Sequence, residues 1–170
     1  MWALIYYCFI RWFIKNKYKI AISKHLFFIT LCFEIVSIYY SNIYYLIPLF
    51  LLITNSVTDY INHDVYSFFN IVLVLYAILI LKPSIESVLI SLIVPLILYL
   101  LSKLYKGMGQ GDIELFIALS FYFDIVSLVI ILLISSLLNL LYAAFVHKES
   151  YCFVPFITIA TIMVFIGIIP

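Results

Sequence analysis

The chain has 170 residues, 68% of them hydrophobic and 10% charged, with a mean hydropathy of +1.28. A soluble domain carries roughly 25% charged residues, so lipid is the solvent to expect, and the composition excludes a sizeable soluble domain, a dinucleotide-binding domain and a nucleic-acid-binding module. Nine Lys+Arg against eight Asp+Glu give a net charge of +1, which marks no strongly basic or acidic face.

Polar punctuation divides the chain into apolar runs at about 2–14, 25–40, 43–58, 67–82, 88–105, 113–123, 125–146 and 152–169. A crossing takes ~20 residues, so these runs predict an all-α polytopic membrane protein, a bundle of about eight transmembrane helices. The shorter runs must extend into flanking polar residues or tilt little. The break at Asp124 is open, since 113–146 also accommodates one long span beside a partly inserted segment. The first run has neither a basic n-region nor an A-x-A site, so it does not read as a removable signal peptide.

Cations set the orientation. The segment 11–24 holds Arg11, Lys15, Lys17, Lys19 and Lys24. With eight alternating spans, this segment, the 59–66 turn, the 103–112 loop and the 147–151 turn share one side. Eight of the nine cations lie there and only Lys82 lies opposite. That side is assigned to the cytoplasm of a multi-pass plasma (inner) membrane protein, with both termini outside. The basic segment reads as a topology anchor for anionic lipid.

Ionisable groups in or beside spans are costly and point to function by default. Glu86 and Asp124 fall in outside turns and Glu149 in a cytoplasmic turn beside Lys148, where water solvates them. Glu34 falls within the second span, neutral or bonded to a neighbouring hydroxyl. Asp59 closes IPLFLLITNSVTDYINHD, where Asn55, Ser56 and Thr58 give the helix end a polar face. Asp112 ends KGMGQGD, which contains Gly107, Gly109 and Gly111, three of the four glycines of the chain. Glycine accepts φ > 0 and close backbone approach, so this loop is expected to take an unusual path. Asp112 then sits near a helix N-terminus, where the dipole favours a carboxylate.

The topology puts Asp59 and Asp112 at the same boundary although 53 positions separate them. Two carboxyls in a partly dry site share one proton, because both cannot ionise cheaply. Such a pair serves as general base and general acid for water attacking a peptide carbonyl. The bland alternative makes Asp59 an interfacial anchor and Asp112 a helix cap, and spacing alone leaves the two readings open.

GMGQGD resembles the GxGD motif of aspartic membrane proteases, and IELFIALSFYF resembles its continuation in type IV prepilin peptidases. DYINHDVYSFFNIVL is similar to the first aspartate segment of that family, an Asp followed six residues on by Ile/Val, usually then Pro and Asn. YCFVPFITIATIM resembles the family's last span. The resemblance covers roughly 45–165. It implies a single membrane-embedded peptidase domain over 1–170, with Asp59 and Asp112 as the catalytic aspartates and Gly107, Gly109 and Gly111 as a loop admitting substrate. It also implies removal of the short leader from type IV prepilins or pseudopilins at the cytoplasmic face, with no cofactor and no metal. Tyr66 stands where the family usually has Pro, and Glu114 where many members carry Lys. Bifunctional members carry a cytoplasmic domain with paired C-x-x-C motifs that N-methylates the product. Here 15–24 is a short basic loop without cysteine, so cleavage without methylation is expected.

Other residues read as structural. Asp64 is expected to be solvated in its turn. His25, His63 and His147 are scattered, and no metal site is expected from them. Cys8, Cys32 and Cys152 form no C-x-x-C pair and read as apolar packing residues. Ser135, Ser136 and Asn139 lie on one long span without a nearby base, which disfavours a serine mechanism. A non-catalytic membrane component or inactive relative remains the alternative. A presenilin-like protease is disfavoured by Thr58-Asp59 and the small size. The expected partners are a prepilin substrate and the bilayer, with no nucleic acid.

Overall fold

The computed structural model describes residues 43–105, 109–145 and 152–167, together with Cys8, Arg11 and Trp12. The first two expected spans, apart from those three residues, therefore lie outside the described residues. So do the 15–24 loop, Glu34, His25, His147, Cys32 and Gly107. Every regular element among the described residues is helical, as the composition predicts.

In chain order, a short 3₁₀ turn (Ile43–Tyr45) leads into α1 (Leu46–Asn62). Then follow α2 (Ser67–Tyr76), which continues as a π-helical turn (Ala77–Leu81), α3 (Ile85–Ser91), α4 (Ile93–Tyr105), α5 (Gln110–Leu119), α6 (Ile125–Phe145) and α7 (Val154–Phe165). The chain divides into two compact units within α1, residues 1–54 and 55–170.

Among the described residues, two stretches are long and apolar enough to cross a membrane, Ile85–Leu104 and Ile125–Phe145. The first is α3 and α4 joined through Leu92, whose amide donates to Val88 O and whose carbonyl accepts from Leu96 N, so the hydrogen-bond ladder runs on. Both carry broad exposed apolar faces, such as Leu96, Leu100 and Leu104 on one and Leu133, Leu137 and Leu140 on the other. Large exposed apolar surface suits lipid and is costly in water. The remaining apolar helices Leu46–Ile61, Ser67–Leu81 and Val154–Phe165 are shorter. At ~1.5 Å per residue, α5 reaches only about 15 Å, half the ~30 Å hydrocarbon thickness. The expected 113–123 run is thus a half-length helix that ends in a turn at Ser120.

Local chemistry sets the boundaries. The π-turn closes with Lys82 in the left-handed region (φ 49°), its amide bonded to Ala77 O. Ser84 caps α3 by accepting the Ser87 amide at 3.2 Å, and Glu86 sits in the first turn, where the helix dipole favours it. Asp124 caps α6 through its Oδ1, which accepts from the Ser127 amide at 3.3 Å, and bonds from Ser127 hold its carboxyl below the usual range. The cap starts α6 where the sequence places the break. In α7, Pro155 occupies the first turn, where its missing N–H costs nothing.

Within residues 55–170, α2 and α4 pack on α5, and α6 runs along α7. Leu73, Leu115, Phe116, Leu119, Leu128, Ile131 and Ile157 are fully buried at these contacts. On α6, Ser135 donates to Leu132 O within its own helix at 3.0 Å.

Candidate active site

The C-terminal half of α1 carries a buried polar stripe. Thr54, Asn55, Thr58 and Asp59 are all at most 5% exposed, and their i, i+1, i+4, i+5 spacing puts them on one helical face. The threonines satisfy themselves locally, Thr54 donating to Phe50 O (2.7 Å) and Thr58 to Asn55 O (2.9 Å). Asn55 reaches across to α2, its Nδ2 donating to Asn70 Oδ1 at 2.9 Å. The polar face that the sequence assigns to this helix end is therefore turned into the protein.

Asp59, in the last turn of α1, lies beyond the apolar run 43–58. Its Oδ2 accepts the backbone N–H of Val154, the first residue of α7, at 3.1 Å. A helix N-terminus offers unpaired N–H groups and a positive dipole end, so α7 is aimed at the Asp59 carboxylate. Burial raises the Asp59 pKa, while the amides of Val154 and Phe153 and the His63 ring pull against that rise.

Asp112 lies in the first turn of α5, before the apolar run 113–123. With Gly109 as N-cap, its carboxylate accepts the Gly109 N–H, which is the back-reaching half of a capping box. Burial raises its pKa to about 7, and the charge of Asp59 adds to the rise. The two aspartates are therefore close enough for the charge of one to act on the other. The N–H groups around Asp59 favour its ionised form, and the Asp59 charge favours a proton on Asp112.

Two contacts bring the aspartate segments together. A side chain at Gly111 would place its Cβ 2.5 Å from Val65 Cβ, so only glycine fits where α5 crosses the 63–66 turn. Ser67, opening α2, donates to Glu114 Oε2, and Gln110 Nε2 reaches Glu114 Oε1 at 3.4 Å. Glu114 thus ties α5 to the start of α2 through hydrogen bonds, which is how the chain accommodates an acid at this position. Tyr66 has φ −83° and ψ 109°, a backbone close to proline's own.

Of the two uses expected of glycine here, positive φ and close approach, Gly109 and Gly111 show the second. Gly109 has an ordinary extended backbone (φ −67°, ψ 147°), and Gly111 lies within helix α5. Neither uses positive φ. Both supply room instead, Gly111 for Val65 and Gly109 for the Asp112 carboxylate, whose Oδ2 would lie 3.2 Å from an added Cβ.

Around Asp59 the structure adds residues that the sequence does not connect. Cys152 Sγ lies 3.3 Å from His63 Nδ1 and donates to Asp59 O at 3.3 Å. Asp64 is exposed, as expected of a turn residue, although its charge adds to the rise at Asp59. The apolar run at 152–169 places a helix here, but nothing in the local pattern pairs residues 59 and 154.

A model of the type IV leader peptidase family matches residues 37–144, well over half of the 170-residue chain. The chain belongs to the type IV leader peptidase family. No match was found among curated proteins or among solved structures. The matched segment contains Asp59, Asp112 and the glycine loop, and it stops short of Cys152 and α7, so it is shorter at the C-terminal side than the resemblance expected from sequence. Membership makes this protein a peptidase of the leader-peptidase kind.

The raised Asp112 pKa makes the fold of this leader peptidase pH-sensitive. The native state holds a proton there that the unfolded chain releases near pH ~3.9. The stability due to neutral Asp112 is therefore complete below that value and lost as pH rises through about 7. Asp112→Asn cannot ionise. Its melting temperature in detergent is expected to exceed that of the wild type at about pH 8 and to converge with it near about pH 4. Equal melting temperatures across that range would show that Asp112 is not desolvated.

Proposed function

We propose that this leader peptidase is an aspartic endopeptidase that uses Asp59 and Asp112 to remove the short leader from type IV prepilins or pseudopilins. Supporting it above all is the electrostatic coupling of two carboxyls in opposed environments, Asp59 buried and Asp112 half-buried. Asp59 accepts the amide that opens α7, and Asp112, with its pKa near 7, keeps the proton.

In this reading ionised Asp59 takes a proton from water as that water attacks the scissile carbonyl, and Asp112 donates its proton to the leaving amine. The pair titrates as a unit. No metal enters the step. The concentration of cations in the 11–24 and 103–112 segments supports a site at the cytoplasmic face, where the basic leader stays in water. The missing cysteine motifs in 15–24 support cleavage without N-methylation.

Co-expression with a tagged type IV prepilin tests this. Leader removal by the wild type, seen as a gel shift, is the expected result, with a mature N-terminus that mass spectrometry finds unmethylated. A prepilin panel left uncut at normal membrane levels of the protein would favour the inactive-relative reading.

A further inference from the structure

Asp59 belongs to a second constellation. One ligating atom from each of Asp59, His63 and Cys152 lies within 4.8 Å of the others. Asp59 and His63 stand four residues apart at the end of α1, and Cys152 arrives from the segment leading into α7.

The arrangement is held from several sides. The His63 amide donates to Asp59 O at 2.8 Å, which fixes His63 just past the helix end. His63 has φ 57°, a conformation uncommon outside glycine. Cys152 is anchored by its contact with the same Asp59 carbonyl. The imidazole and thiol are thereby set 3.3 Å apart.

A thiolate sulfur, an imidazole nitrogen and a carboxylate oxygen are the donors that zinc takes, at about 2.3, 2.0–2.1 and 2.0–2.2 Å. Around a tetrahedral ion such donors lie about 3.4–3.6 Å apart. The His63–Cys152 separation already matches this, and the widest spacing closes with a shift of at most roughly 1.4 Å. One thiolate and one carboxylate neutralise a divalent charge, which suits a site at the edge of a low-dielectric region. Sulfur and nitrogen donors disfavour magnesium and calcium, which take oxygen.

We propose that Asp59, His63 and Cys152 form a zinc site, and that zinc bound there inhibits the peptidase by occupying Asp59. On binding, the Cys152 thiol loses its proton to solvent, and the fourth zinc position takes water. The inhibitory part rests on the proposed role of Asp59, whereas the binding part does not. Cys152 lies beyond the segment matched to the family.

The test uses the full-length protein in detergent, stripped with chelator and titrated with zinc chloride against a chromophoric zinc chelator. The wild type is expected to bind about one zinc ion per chain, unchanged by millimolar magnesium. Cys152→Ser and His63→Gln are each expected to weaken binding by at least about tenfold, as loss of one of three protein ligands requires. In chelator-treated buffer Cys152→Ser is expected to cleave prepilin like the wild type, and added zinc is expected to inhibit the wild type and not Cys152→Ser. Zinc affinity that is absent in the wild type, or equal in all three proteins, would overturn the site. Full cleavage by zinc-loaded wild type would overturn the inhibition. Absence of cleavage in zinc-free wild type would instead count against the peptidase mechanism, because binding is read without substrate.

Discussion

Asp59→Asn and Asp112→Asn are each expected to lower the rate of leader cleavage by about 10²–10⁴-fold, the usual range for losing a positioned general acid or base. Asparagine keeps the shape of the side chain and hydrogen-bonds in both places. At residue 59 its amide oxygen still accepts from Val154 N–H, and at residue 112 from Gly109 N–H. What each substitution removes is the ability to take or give a proton. The proteins should therefore accumulate in the membrane as the wild type does, and Asp112→Asn should be the more stable one above neutral pH. Single-turnover cleavage of a purified prepilin, with melting temperature measured alongside, separates lost chemistry from lost fold. A variant that keeps more than about a tenth of the wild-type rate would exclude its aspartate from proton transfer.

The second large effect lies at Gly111. An added Cβ would stand 2.5 Å from Val65 Cβ, closer than packed carbon atoms approach. Either α5 or the 63–66 turn must move. Overpacking of this kind costs about 1–3 kcal/mol, and displacing a reacting group by ~1 Å can cost about 10²-fold in rate. Gly111→Ala is thus expected to lower the melting temperature and also to cut cleavage by about 10²-fold, since the shift moves Asp112 relative to Asp59. Val65→Gly removes the atom that collides, so Gly111→Ala placed in that background should recover most of the rate. No recovery would show that the glycine serves something other than the approach of the two segments. Gly109→Ala should be milder, because there the neighbour is the Asp112 carboxylate oxygen at 3.2 Å.

Sequence alone singled out Asp59 and Asp112 as candidates, because ionisable groups at the edge of apolar runs are few and must be accounted for. It also carried the starts of α2 and α6, which follow from turn and cap residues acting over three or four positions. It missed partners set by tertiary packing. Val154 N–H reaches Asp59 across 95 positions, and a backbone amide leaves no mark of its own in a sequence. Cys152 looked like an apolar filler because its neighbours His63 and Asp59 lie about 90 residues away. The sequence left two reasons open for the glycines, positive φ and close approach. Close approach, not left-handed backbone, is what Gly109 and Gly111 provide, and that depends on Val65 and Asp112 arriving from outside or ahead of the loop. The span at 113–123 was drawn from hydropathy, which sees apolar composition but not the turn that stops α5 at Leu119.

The most direct measurement compares leader cleavage by wild type, Asp59→Asn, Asp112→Asn and the double variant at matched membrane levels. Groups that act as one unit are non-additive, each single loss costing about as much as losing both. The account predicts that the double variant is no slower than either single one. Single losses that multiply in the double variant, or a near-wild-type rate in either single variant, would contradict a shared catalytic pair.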